Sequence, residues 1–194
     1  MDDAELIEPR DRAAWRRWLA RHHARETGVW LAIHKRSSAT GTFDYEQAVL
    51  EALCFGWIDS TRTLLDDDRS RIWMSPRRPG SGWSASNKAR IVQLETEGAL
   101  AAPGLAAIDR AKADGSWTAL DRVERLEVPD DLSEAFTRHD GSRANWDGFP
   151  PSVRKQILGW IYSAKREATR ATRVEETATL AARGERVQQW RPKA

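Results

Sequence analysis

The stretch from Trp57 to Ser75 does not carry a helical pattern, and that limits the fold. Trp57 to Leu65 and Arg69 to Ser75 alternate apolar and polar side chains, with Asp66-Asp67-Asp68 between them. Alternation at a period of two assigns successive side chains to opposite faces of a strand. A short run of aspartates is turn chemistry, because these side chains bond their own backbone. The reading is a β-hairpin. Val29-Trp30-Leu31-Ala32-Ile33-His34, apolar and rich in β-branched residues, predicts a third strand. A sheet this small is marginal alone and has to be covered. Almost all the remaining chain has helical periodicity. The expected fold class is therefore α+β, mainly helical, with a small three-stranded antiparallel sheet covered by helices.

The helical segments are set off by their start and stop signals. Pro9 opens the first, about 10–24, with Trp15, Trp18, Leu19 and His22 recurring at helical spacing and Arg16, Arg17 and Arg21 on its outer face. Ser37 to Gly41 is a loop. Asp44 and Gln47 form a capping pair for the next helix, whose buried stripe is Ala48, Val49, Ala52 and Leu53 and whose left-handed stop is Gly56. Beyond the loop Pro76 to Gly82, Ser84 caps a helix over 85–97 that Gly98 closes. Pro103 opens another that Gly115 closes, and Pro129 with Asp130 and Asp131 opens a third. The longest helix follows Pro150-Pro151-Ser152. Its stripe runs Val153, Ile157, Trp160, Ile161, Ala164, Ala168, Ala171, Val174, Ala178 and Ala181, up to Gly184. The expected organisation is a single domain over 1–184, with a sheet-containing part of about 1–120 and a helical part of about 125–184. Residues 185–194 form a polar tail.

Composition narrows the function classes. Thirty-one basic and 29 acidic residues nearly cancel, which argues against a dedicated nucleic-acid binder. Cys54 is the one cysteine, and the four histidines lack metal-ligand spacing. No structural metal, cofactor or internal disulfide is expected. The acidic start Met1-Asp2-Asp3-Ala4-Glu5 is unlike a signal peptide, and no apolar run approaches a membrane span. The expected location is the cytoplasm. Nothing in the pattern sets an oligomeric state.

Ten tryptophans stand against 2 tyrosines and 4 phenylalanines. Trp is mostly core material, yet it carries one N–H that needs a partner. Two of them, Trp57 and Trp83, sit with Arg, Ser and Asp in two short segments, Cys54 to Ser60 and Pro76 to Asn87. The hairpin between them returns the chain, so their ends can lie side by side. That would gather Trp57, Asp59, Ser60, Arg77, Arg78, Trp83, Ser84 and Asn87 near one place, all but Arg78 being taken as the candidate site. The helix start at Ser84 favours an anion, Arg77 can clamp a carboxylate or phosphate, and Trp rings suit a pocket wall. The competing structural reading makes Asp59 and Arg77 an ion pair, Ser84 a helix cap and the arginines at 69, 71, 77 and 78 a solvated face. Cys54, near a helix C-terminus between Leu53 and Phe55, is expected to be an inert core thiol.

On these residues the chain resembles the YdeI/OmpD-associated, or bacteriocin-protection, family. The resemblance runs through Glu46-Gln47-Ala48, Leu53 to Ser60, Pro76 to Ser81, Trp83-Ser84, Asn87 and Gly115-Ser116-Trp117. It continues in Ile157 to Arg173, with Ala164-Lys165-Arg166 and Thr169-Arg170. The resemblance implies a role in stress or antimicrobial protection and supplies no catalytic residues. The expected function is a cytoplasmic binding or protection protein with a Trp/Arg-lined pocket for an anionic or aromatic small molecule or a peptide terminus. One alternative is an enzyme using Asp59 as general base with Arg77 orienting substrate. Another is a weak nucleic-acid binder acting through Arg16, Arg17, Arg21, Arg77 and Arg78.

Overall fold

The hairpin forms where the alternation puts it. In the computed structural model, which describes residues 4–35 and 43–187, β3 (Trp57–Leu64) pairs antiparallel with β4 (Arg69–Pro76), from Trp57 opposite Pro76 to Leu64 opposite Ser70. Asp66 makes the turn: its Oδ1 accepts from the Asp68 and Arg69 amides at 3.0 and 2.8 Å. Along β4, Ser70, Ile72 and Met74 are buried while Arg69, Arg71, Trp73 and Ser75 are only partly covered. β2 (Val29–His34) pairs antiparallel with β4 on the other side.

The sheet is four-stranded and mixed, which corrects the three-stranded antiparallel expectation. β1 (Leu6–Ile7) lies parallel to β2, giving the order β1-β2-β4-β3. Two residues are too short to show a period, so the sequence pattern is silent on this strand.

The first helix, α1 (Arg12–His22), starts later than Pro9. Asp11 is its cap, and its side chain accepts from the Ala14 amide at 2.6 Å. α2 (Tyr45–Cys54) has the reciprocal Asp44/Gln47 capping box and ends at Gly56, whose φ is 74°. α3 (Ala85–Thr96) is capped by Ser84, and α4 (Ala102–Ala113) follows. Trp15, Leu19, Leu31, Ile33, Leu53, Trp57, Ile72, Met74, Trp83 and Ile91 meet in one core. Gly104 lets α4 approach the end of α2, since a Cβ there would lie 2.3 Å from the Cys54 carbonyl oxygen. The loop expected at Ser37 to Gly41 lies outside the described residues.

Compactness divides the backbone into two units, Met1–Ala119 and Leu120–Ala194. The second is built from α5 (Asp121–Glu124), α6 (Asp130–Thr137), α7 (Ser142–Gly148), α8 (Pro151–Tyr162) and α9 (Glu167–Ala182). The long helix expected after Pro150 is two helices. Arg166 is extended, with φ −109° and ψ 136°. The end of α8 is closed by side chains: Ser163 Oγ donates to the Trp160 carbonyl at 2.8 Å, and Arg173 donates to the same carbonyl and to Ser163 Oγ. Satisfying those orphan carbonyls makes the stop stable. Ala168 and Ala171, expected in a buried stripe, are exposed, and the buried face of α9 is Val174, Thr177, Ala178 and Ala181. Val174, Ala178 and Ala181 pack with Leu132, Phe136, Trp146, Ile157 and Ile161 in a second core.

Candidate binding site

The hairpin does bring the two Trp/Arg segments together. Trp57 lies opposite Pro76, and the Arg77 amide donates to the Gly56 carbonyl at 2.9 Å. The side chains then separate into different surroundings. Trp57 is fully buried, donates Nε1 to the His23 carbonyl at 3.0 Å and meets Trp18 edge-on. Trp83 is 1% exposed and packs on Trp117 with ring centroids 5.0 Å apart. Both rings are core. Ser84 accepts from the Asn87 amide at 3.3 Å, and the Asn87 side chain accepts from Arg90 at 2.9 Å. Ser60 is exposed on the edge strand, beside a register shift between Asp59 and Arg62.

Asp59 accepts from the Tyr45 hydroxyl at 2.9 Å. Burial, followed by the charge and hydrogen bond of Asp59, pushes the Tyr45 phenol up to about 12. Arg90 stands by the Tyr45 ring and grips Glu46 through two bonds of 2.7 Å. The ion pair expected between Asp59 and Arg77 is absent among the described residues. Tyr45 comes from the start of α2 and reaches the carboxylate first, a pairing across 14 positions that strand and helix patterns do not reveal.

Arg77 is the unusual member. The sequence placed it in the candidate site, with a solvated face as the competing reading, and it is 6% exposed. Its guanidinium lies flat over Trp83, 3.7 Å from the ring centroid, and Nη2 donates to the Gly82 carbonyl at 2.7 Å. Nη1 is buried without a hydrogen-bond partner, and no ion pair involving Arg77 occurs among the described residues. Burial pulls its pKa down to about 10, with the more distant charge of Asp59 opposing. An unpaired cation removed from water costs free energy, so such groups are rare without a partner or a task.

Two concavities use Arg77. One is an open cleft of about 810 Å³, lined by Ala4 and Glu5, by Arg25 to Gly28, and by Trp73 with Ser75 to Pro79. The other is a void of about 10 Å³ against Trp83, Arg110 and Asp114, room for one water at most. Of the seven sequence-derived site residues, Arg77 alone lines the cleft. Arg78, gathered with these residues in the sequence though not kept as a site residue, also lines it, whereas Trp73, Glu26 and Gly28 were missed. Their signal is faint: Trp73 falls on the outward phase of β4 opposite Trp30, and the two rings meet edge-on with centroids 5.3 Å apart.

The arginines proposed for nucleic acid do not share one face. Arg16 bonds Glu51, itself buried, at 2.7 Å and the Ala99 carbonyl at 2.9 Å, and Arg77 is buried. Cys54 is a fully buried free thiol, and burial raises its pKa. No helix among the described residues is long and apolar enough to cross a membrane. Nor do the described residues contain a group of three or more His, Cys, Asp or Glu fit for a metal ion.

Fold and site define an α+β protein of two units, the first holding a buried arginine beside an open cleft. The chain belongs to the family defined by a domain of unknown function (DUF8412), whose model matches residues 7–107. Residues 125–184 match the family described as bacteriocin-protection, YdeI or OmpD-associated. That likeness therefore covers part of the chain, and the stretch from Glu46 to Asn87 falls under the other match. No curated protein and no solved structure gives a match.

Proposed function

We propose that this is a binding protein whose first unit holds a small anionic or aromatic molecule, or a peptide terminus, in the cleft beside Arg77. One observation carries the reading: a buried guanidinium without a carboxylate partner or a hydrogen bond for Nη1. A ligand carboxylate would supply the missing counter-charge in a water-poor setting, where a charge-assisted bond is strong. The cleft volume falls in the range of small-molecule sites, and Trp73 with Pro76 and Pro79 gives it apolar walls. The other sequence-derived residues act as supports. Trp57 anchors the strand end and Trp83 carries the guanidinium. Asp59, Ser84 and Asn87 hold the adjoining strand and helix start, and Ser60 stays exposed on the edge strand. A protective role fits this reading, supported by the bacteriocin-protection description of the family matched by residues 125–184.

The test is a thermal-shift and calorimetric screen of benzoate, phenylacetate and N-acetyl-L-phenylalanine against the full chain and Arg77→Met. A ligand that binds the native state raises the melting temperature by mass action. The expected result is a shift in the wild type that Arg77→Met loses while staying folded. Equal binding by both proteins, or none by either, refutes the reading.

A further inference from the structure

The charges around the cleft are of both signs, which bears on what it would hold. The binding reading above is the premise. Arg25, Arg77 and Arg78 line the cleft together with Glu5 and Glu26. Arg25 and Glu5 already satisfy one another at 2.6 Å. That leaves Arg77 and the exposed Arg78 from the segment after β4, and the exposed Glu26 from the loop before β2. Neither Arg78 nor Glu26 forms an ion pair among the described residues.

The apolar part of the lining is also fixed. A Cβ on Gly28 would fall 2.6 Å from the Trp73 ring and 2.6 Å from the Met74 carbonyl oxygen. The absence of a side chain at Gly28 therefore lets the loop lie against the ring. Trp30 packs edge-on to the same ring and holds it in place. A rigid aromatic wall of this kind gives contact area at little entropic cost.

From these features we infer that the cleft takes a small zwitterion, an α-amino acid or dipeptide with a free carboxylate, a free ammonium and an apolar side chain. The carboxylate meets Arg77 and Arg78, the ammonium meets Glu26, and the side chain lies against Trp73. A dianionic phosphate fits less well, because Glu26 repels it. A plain monoanion leaves the exposed Glu26 without a partner and forgoes one charged contact.

The experiment is isothermal calorimetry on the full chain with five probes: L-phenylalanine, L-tryptophan, L-phenylalanyl-L-phenylalanine, N-acetyl-L-phenylalanine and L-phenylalaninamide. At least one of the first three should bind. The N-acetyl and amide derivatives should bind about tenfold or more weakly, since each loses one charged contact. Glu26→Gln should abolish the preference for the free ammonium, and Arg78→Ala should weaken the preference for the free carboxylate, which Arg77 still supports. Both positions are exposed, so neither variant endangers the fold. If N-acetyl-L-phenylalanine binds as tightly as L-phenylalanine, the zwitterion inference is overturned while the anion-binding reading survives. If no carboxylate binds at all, both fall together.

Discussion

Arg77 is a residue at which keeping the charge should be worse than removing it. Consider Arg77→Met and Arg77→Lys at pH 7, without ligand. Both lose the flat stack on Trp83, worth about 2 kcal/mol for a desolvated cation on an aromatic ring. Both also lose the charged bond to the Gly82 carbonyl, worth about 2 kcal/mol. Against this stands the cost of burying the guanidinium. Its fall from 12.5 to about 10 corresponds to about 3 kcal/mol against the charged form, which solvent screening reduces to about 2 kcal/mol. Methionine recovers that cost and keeps an apolar stem over Trp83, so its net destabilisation should be about 2 kcal/mol. Lysine retains the cost and lacks the planar group, so it should lose about 4 kcal/mol. The assay is urea unfolding followed by hydrogen exchange of the β4 and α3 amides, which reads the first unit alone. Lysine milder than methionine would refute the reasoning, because it would mean that the charge has a protein partner and acts as a lock.

Three further outcomes follow from particular side chains. Burial and Asp59 raise the Tyr45 phenol from 10.0 to about 12, so the folded state favours its neutral form. That contribution is complete below pH 10 and is lost as pH rises from about 10 to about 12. Tyr45→Phe should flatten the alkaline limb of stability against pH, and identical limbs in both proteins would contradict the assignment. Gly104→Ala should cost about 3 kcal/mol, because the new Cβ meets the Cys54 backbone at 2.3 Å. Gly159→Ala, inside α8 with nothing within 4 Å of the new atom, should stabilise by about 0.5–1 kcal/mol; the two melting shifts should differ in sign. Trp160 is only half buried and packs on Arg173 with the guanidinium 4.8 Å from its ring. Trp160→Ala should therefore cost about 2 kcal/mol rather than the larger loss of a fully buried ring, and a loss above about 4 kcal/mol by chemical denaturation would show that the ring is sealed.

Local chemistry was legible in the sequence wherever the cause lies within a few residues. The hairpin and its aspartate turn, the third strand, the Asp44/Gln47 box, the Ser84 cap and the left-handed stops at Gly56, Gly98, Gly115 and Gly184 all follow from neighbouring side chains and backbone conformation. Elements too short to repeat a full period escaped: β1, with two residues, and α5 and α7, with four and seven. The break between α8 and α9 was hidden because apolar spacing continued across it. What stops the helix is the distant Arg173 closing the Trp160 carbonyl.

The candidate site divides along the same line. That Arg77 stands beside the start of β3 was determined by the sequence, since hairpin register is a local matter set by the turn and the alternation. Which partner Asp59 takes, and whether Arg77 has one, was decided only by the tertiary structure. Packing α2 on the sheet brings the Tyr45 hydroxyl to Asp59, and packing Trp83 into the core draws the guanidinium off the surface. Charge and residue type do not determine burial or partner, because both depend on which distant surfaces meet.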